Sequence, residues 1–246
     1  MSFASDKQEN DIDDDKIGFT LEVKINNRDS ADFSCDGKTV ETFYYDCEKC
    51  EYFHVKAVIT YEDGDEGETL AECNGIFISD DNVDKDNTFT CIADDVDGDA
   101  YIAFEAMENS KKYVPKEKEN EDDFCELIWY EETGCIYLAR LYVNPKFRNR
   151  GIAKIILRNI AKLFVWKYDI AIRYACIIVK QDEQHIMPEK QMEKLMIKTI
   201  TDNGFTRVRS YDGEKIYIKK YSCKERTING YEREELMQSE SGKQSL

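Results

Sequence analysis

The chain has 246 residues, 41% hydrophobic and 35% charged, with a net charge of −17. That length and apolar content supply one sizeable core, so a single domain with acidic ends is expected. The acid excess argues against a nucleic-acid partner, which needs a basic footprint. No run of eighteen apolar residues and no basic-flanked apolar leader occurs, so a soluble, cytoplasmic protein without a membrane partner is expected.

Residues 1–16 carry Asp6, Glu9, Asp11, Asp13, Asp14 and Asp15 with one aromatic residue. Such a segment buries too little to offset its ordering entropy, and disorder is predicted there and over 222–246. The stretches Ile17 to Ile25, Tyr52 to Tyr61 and Thr69 to Ser79 are β-rich, and with turns at Asn26-Asn27 and Glu62 to Gly67 they predict a meander. Thr90 to Met107 has helical periodicity through Gly98. Lys111 to Asp123 reads as a charged loop, and Phe124 to Tyr130 with Cys135 to Val143 as a hairpin around Glu131 to Gly134. Further on come a helix over 151–166, a strand Tyr174 to Lys180, and a long loop through His185. A helix with Pro188 near its first turn then ends at Asn203-Gly204. No internal repeat is present.

Nine cysteines are present, and Cys91, Cys125, Cys135 and Cys176 lie in apolar segments, where reduced core thiols are expected. Cys47 and Cys50, with Cys35 before and His54 after them, could begin a zinc site, but a second half is missing, so no metal is expected. The run Asp80 to Asp86 suggests calcium, yet an EF-hand loop starting at Asp80 needs Gly at Lys85 and Glu at Cys91. These carboxylates, like those of Asp63-Gly64-Asp65, are expected to form a solvated turn.

The stretch Tyr137 to Pro145 is β-branched and aromatic and ends at a proline, so it reads as a strand that stops there. Lys146-Phe147-Arg148-Asn149-Arg150-Gly151 follows and opens a helix. Ile152, Ile155, Ile156, Ile160, Leu163 and Phe164 form its apolar stripe, with Arg150, Lys154, Arg158 and Lys162 on another face. A strand leading through a basic, Gly-containing turn into a helix N-terminus binds phosphate. The first helical N–H groups lack internal partners, the helix dipole is positive there, and Gly151 lets a ligand approach the backbone. The plainer alternative is a βα unit whose glycine only eases packing.

The pattern Arg148-x-x-Gly151-x-Ala153, after Leu141-x-Val143, resembles the acetyl-CoA pyrophosphate loop of the GNAT acyltransferase superfamily. Asp202-Asn203-Gly204-Phe205 at the end of a helix, then a turn and strand over Tyr211 to Tyr221, match the family's C-terminal half, so the resemblance covers roughly 122–221. It implies an α/β (α+β) fold: a mixed, mostly antiparallel sheet flanked by helices. The domain would span 17–221, with 17–110 as a β-rich N-terminal part and 122–221 as the acetyl-CoA core. It also implies an acetyl-CoA-dependent N-acetyltransferase in which an amine of a small molecule or protein attacks the thioester directly. The alternative is an inactive GNAT-like module that keeps CoA or an interaction surface. Backbone groups of Leu141, Tyr142 and Val143 would meet pantetheine, and one N–H would stabilise the oxyanion. Arg148, Asn149, Arg150, Gly151, Ile152, Ala153 and Lys154 would hold the pyrophosphate.

Three positions depart from the family's pattern. Arg140 stands where a Glu is frequent, Ile200 where a Tyr is common, and Glu193 where an Asn often begins the helix motif. Tyr211, Cys176 and His185 are replacement candidates, and none is assigned a catalytic role.

Charge is divided unevenly. Residues 1–134 hold 12 Lys and Arg against 38 Asp and Glu, a net of −26, whereas 135–221 hold 18 against 8, a net of +10. The basic part suits CoA phosphates and the acidic part a cationic amine acceptor, unless the two merely attract each other.

Overall fold

A computed structural model of the chain describes residues 19–26, 31–35, 38–43, 49–60, 66–115, 132–179, 189–208 and 214–222. Its strands are β1 (Phe19–Asn26), β2 (Ala31–Cys35), β3 (Lys38–Phe43), β4 (Cys50–Thr60), β5 (Glu66–Ser79), β6 (Glu132–Val143), β7 (Ile170–Ile178), β8 (Thr206–Val208) and β9 (Ile216–Lys220). The helices are α1 (Phe89–Asp94), α2 (Gly98–Glu108), α3 (Ile152–Tyr168) and α4 (Glu189–Asp202). Seven strands form one sheet in the order β1-β4-β5-β6-β7-β9-β8, and β2 and β3 pair separately. Within the seven-stranded sheet β6 and β7 run parallel and the other pairs antiparallel. A parallel pair needs a crossover, and α3 supplies it.

The expected meander is present as β1, β4 and β5, joined edge to edge with β6, so the β-rich N-terminal part continues the central sheet. The antiparallel β2–β3 pair lies between β1 and β4 in the chain and adds to the expected elements; Ala31, Phe33 and Cys35 alternate with Asp32 and Ser34 along β2. Alternation along the strands sends two sets of side chains to opposite faces. Phe53, Val55, Ala71, Cys73, Phe77, Ile136 and Leu138 pack with Ile156, Leu157, Ile160 and Phe164 of α3 and with Ile200 of α4. Phe164 meets the Phe53 ring edge-on at 5.1 Å. On the other face Ile76, Ile78, Cys135, Tyr137, Tyr174 and Cys176 pack with Phe89, Ile92, Phe104 and Met107 of α1 and α2.

Several expectations are corrected. The helix predicted over Thr90 to Met107 is two helices. Asp97 accepts the Ala100 N–H at 2.7 Å as an N-cap, so Gly98 begins α2 rather than interrupting a longer helix. The hairpin around Glu131 to Gly134 is not formed by β6. Glu132, Thr133 and Gly134 already belong to the strand, and Cys135 to Leu138 have β5 on one edge and β7 on the other. The strand expected from Tyr174 begins at Ile170 and ends at Ile178, because this segment is buried throughout and lacks a periodicity to mark its start.

Asp80 is not solvated. Its carboxylate lies 2.8 Å from Arg173, which is fully buried, and accepts a hydrogen bond from Thr133 Oγ1 at 2.6 Å. Arg173 is the extra residue of a bulge in β7, since Gly134 and Cys135 face Ile172 and Tyr174 in register, and it also donates to the Val114 carbonyl at 2.7 Å. Asp84 does fit the turn reading, accepting the Asp86 and Asn87 N–H groups, and these hydrogen bonds hold its carboxyl below the usual range. Cys135 and Cys176 are buried free thiols as expected, but Cys91 is exposed on α1. Residues 1–16, Cys47, Asp63 to Asp65, Cys125, Phe124 to Tyr130, Pro188 and the tail after Ser222, for which the sequence carries expectations, lie outside the described residues.

Candidate functional site

The site begins where β6 loses a neighbour. Pairing with β7 runs from Glu132–Ile170 to Leu138–Ile177 and stops, while β6 continues to Val143 and stays paired with β5. Ala139 marks the change. Asn74 and Gly75 of β5 face Arg140 and Leu138, so Ala139 is one residue too many for the ladder. A bulge of this kind bends its strand and increases its twist. Upstream residues of β6 are buried, Ala139 is exposed, and Arg140 to Val143 are partly open. Among the described residues no strand pairs with β6 from 139 to 143 on the side of β7, where its backbone can meet an extended amide-bearing ligand.

The chain then turns into α3. Asn144 donates its backbone N–H to the Leu70 carbonyl at 2.9 Å, and its side chain accepts from the Lys146 N–H and donates to Glu68. Lys146 pairs with Glu68 at 3.0 Å, and Phe147 is buried. The turn is therefore pinned to the start of β5. Arg148 donates through Nε to the Val143 carbonyl at 3.1 Å, so its side chain ties the turn to the strand end.

Asn149 and Gly151 have φ of 65° and 80°, the left-handed region. Asn tolerates this conformation and glycine adopts it without steric cost. Gly151 is the N-cap of α3, no side chain caps the helix, and a Cβ built at Gly151 would meet nothing within 4 Å. The amides of Ile152, Ala153 and Lys154 thus lie at a helix terminus without a side-chain cap, with the positive end of the helix dipole behind them. The turn joins the end of β6, with Leu141, Tyr142 and Val143, to the run 148–154.

The acid-base candidates fare differently. Cys176 lies fully buried in β7, and burial pushes its thiol well above the usual range, which disfavours it as a base. Tyr211 and His185 lie outside the described residues. Ile200 is a core residue at the end of α4, where the Phe205 N–H reaches its carbonyl and Gly204 takes φ of 86°, the Schellman closure. Glu193 is engaged in an ion pair with Lys215. Among the described residues no group of three His, Cys, Asp or Glu side chains is placed to hold a metal; Cys50 is a free thiol and His54 instead neighbours Glu72.

An antiparallel sheet split at its one described parallel pair, with an uncapped helix terminus at the mouth of the split, defines a protein able to seat a phosphate-bearing ligand along a strand edge. Residues 42–174, more than half of the chain, match the acetyltransferase (GNAT) family. The chain belongs to that family, and acetyl-CoA is its cosubstrate. The matched span takes in β4, β5, α1, α2, β6 and α3, extending upstream of the stretch on which the sequence resemblance was read.

Similar solved structures include Arabidopsis thaliana NAA60 in complex with acetyl-CoA (14% identity over 70% of this chain and 76% of that one, TM-score 0.36). NAA60 in complex with a bisubstrate analogue aligns at 13% identity over 71% and 77%, TM-score 0.35. A GNAT acetyltransferase from Listeria monocytogenes aligns at 12% over 68% and 64%, TM-score 0.30. No curated protein matches the chain significantly. No helix among the described residues is long and apolar enough to cross a membrane.

Proposed function

We propose that the chain is an N-acetyltransferase, moving the acetyl group of acetyl-CoA to an amine of a small molecule or protein within one domain over 17–221. The observation that carries this reading is the end of the β6–β7 ladder at Leu138–Ile177 close to the N-terminus of α3, which no side chain caps. Leu141, Tyr142 and Val143 offer backbone groups to pantetheine, and an N–H of this edge faces the thioester oxygen as charge develops on it. The amides of Arg148 through Lys154 take the pyrophosphate. Exposed Asp94 at the end of α1 and Asp95 just after it follow the apolar residues of α1 that pack on the side of the sheet opposite α3, and favour a cationic acceptor arriving there. A CoA-binding module without turnover is the second reading, favoured by the burial of Ile200 and Cys176.

Calorimetry with acetyl-CoA tests the first part. Saturable binding is expected in the wild type, and Gly151→Glu is expected to weaken it tenfold or more, about 1.4 kcal/mol, by filling the approach and adding a repelling charge. No saturable binding by the wild type ends the reading. A thiol-release assay across neutral and cationic amines then separates an enzyme from a silent binder.

A further inference from the structure

Arg140, Glu193 and Ile200 leave open which group takes the amine proton. On the face of the sheet away from α3, register aligns Lys24, His54, Asn74 and Arg140 across β1, β4, β5 and β6. Two residues along, Lys56, Glu72 and Tyr142 form a second row on the same face. Glu72 Oε2 lies 3.8 Å from His54 Nε2, with the two side chains only 16% and 12% exposed. Asn74 is 5% exposed, and its Oδ1 is buried without a hydrogen-bond partner among the described residues. A buried acceptor left so costs about 1–3 kcal/mol, which an incoming N–H recovers. Asn74 stands in register with Arg140, next to the Ala139 bulge.

We propose that His54, backed by Glu72, is the general base of the acetyl transfer, and that the Asn74 amide oxygen receives the acceptor amine. The inference rests on the acetyltransferase reading above. Neighbouring strands lie about 4.8 Å apart, so His54 and Arg140 backbones are about 10 Å apart, a span that an imidazole and one bridging water cover. The amine arrives as its ammonium and gives one proton through that water to the imidazole. Its freed lone pair forms the C–N bond, the C–S bond breaks, and a second proton passes through solvent from nitrogen to the departing sulfur. The third hydrogen stays on the amide, and the imidazolium releases its proton to bulk water. The charged groups facing the imidazole on this side are Glu72 from β5, Lys24 from β1, Lys56 from its own strand and Arg140 from β6. Glu72 is therefore the counter-ion of the imidazolium and a positioning residue for it.

The test measures kcat/KM against pH with a primary alkylamine, an ammonium ion across the range, together with acetyl-CoA affinity by calorimetry. Wild-type activity is expected to fall as pH drops below neutrality. His54→Gln is expected to lose about 10²-fold or more in kcat/KM and to lose that acid limb, with acetyl-CoA affinity unchanged. Glu72→Gln is expected to move the limb, which a purely structural ion pair would not do, and Asn74→Ala to raise the KM of the amine. An unchanged rate and profile in His54→Gln overturns the proposal. Should that variant not fold, a wild-type profile flat from about pH 5.5 to 8 overturns it equally. Wild-type protein that binds no acetyl-CoA marks instead the failure of the acetyltransferase reading, and this inference falls with it.

Discussion

The two ends of β6 carry one bulge each in their neighbourhood, and the two have opposite consequences. At the Glu132 end the extra residue is Arg173 of β7, fully buried, and its guanidinium joins Asp80, Thr133 and the Val114 carbonyl into a closed polar knot. At the Val143 end the extra residue is Ala139, exposed, and the ladder to β7 ceases. The same irregularity is a clamp where a buried guanidinium finds a carboxylate and a carbonyl, and an opening where an exposed alanine ends the ladder. Stability should therefore concentrate at the first end and ligand binding at the second.

The largest expected effect tests the clamp. Asp80→Ala leaves the Arg173 guanidinium buried without its carboxylate and should cost about 3–5 kcal/mol in urea unfolding, while acetyl-CoA affinity of the folded protein stays within twofold. A matched apolar replacement of both partners, Asp80→Leu with Arg173→Met, should recover most of that loss. Equal damage to affinity and stability would dissolve the distinction between the ends.

Next comes the open end. Gly151→Ala places a side chain at φ 80° in empty space and should cost about 1–2 kcal/mol of stability through backbone strain alone. Its acetyl-CoA affinity should fall less than that of Gly151→Glu, because no charge is added.

Buried thiols sharpen the comparison through pH. Burial raises Cys73 from 9.0 to about 12 and holds Cys135 and Cys176 well above the usual thiol range as well. The native state then keeps protons that the unfolded chain releases above pH 9, so stability is constant below that pH and declines above it. Each thiol contributes about 1 kcal/mol of loss by pH 10, measurable as a fall in the urea midpoint between pH 8 and 10. Serine at Cys135 should shrink that alkaline decline.

The smallest effect is electrostatic. If the acids of α1 and α2 gather a cationic amine, its KM should rise several-fold between about 0.1 and 1 M salt, as the Debye length falls from about 10 to 3 Å, with a neutral amine unaffected.

Much of the open end was legible in the sequence because its chemistry is local. Pro145, Gly151 and the stripe from Ile152 to Phe164 lie within twenty residues, and each acts through backbone geometry that residue type dictates. The clamp was not legible. Asp80 and Arg173 are 93 positions apart, and Asp80 sits in an acidic run that resembles an ordinary turn. Gly98 misled for a related reason: apolar spacing continues across the break, and only the Asp97 cap reveals that a second helix starts there. His54 and Asn74 were equally hidden, since their alignment with Arg140 depends on strand register rather than on spacing.

The bulge at Ala139 also makes insertion and deletion unusual at this strand. Tyr137 and Arg140 share one face and Leu138 and Leu141 the other, so removing Ala139 would leave strict alternation and keep every flanking side chain on its present side. Shortening most central strands by one residue turns their cores inside out. Here the shortened chain should still fold, with β6 straightened and its edge brought back toward β7, so that the entrance for a ligand is encoded in a single dispensable codon.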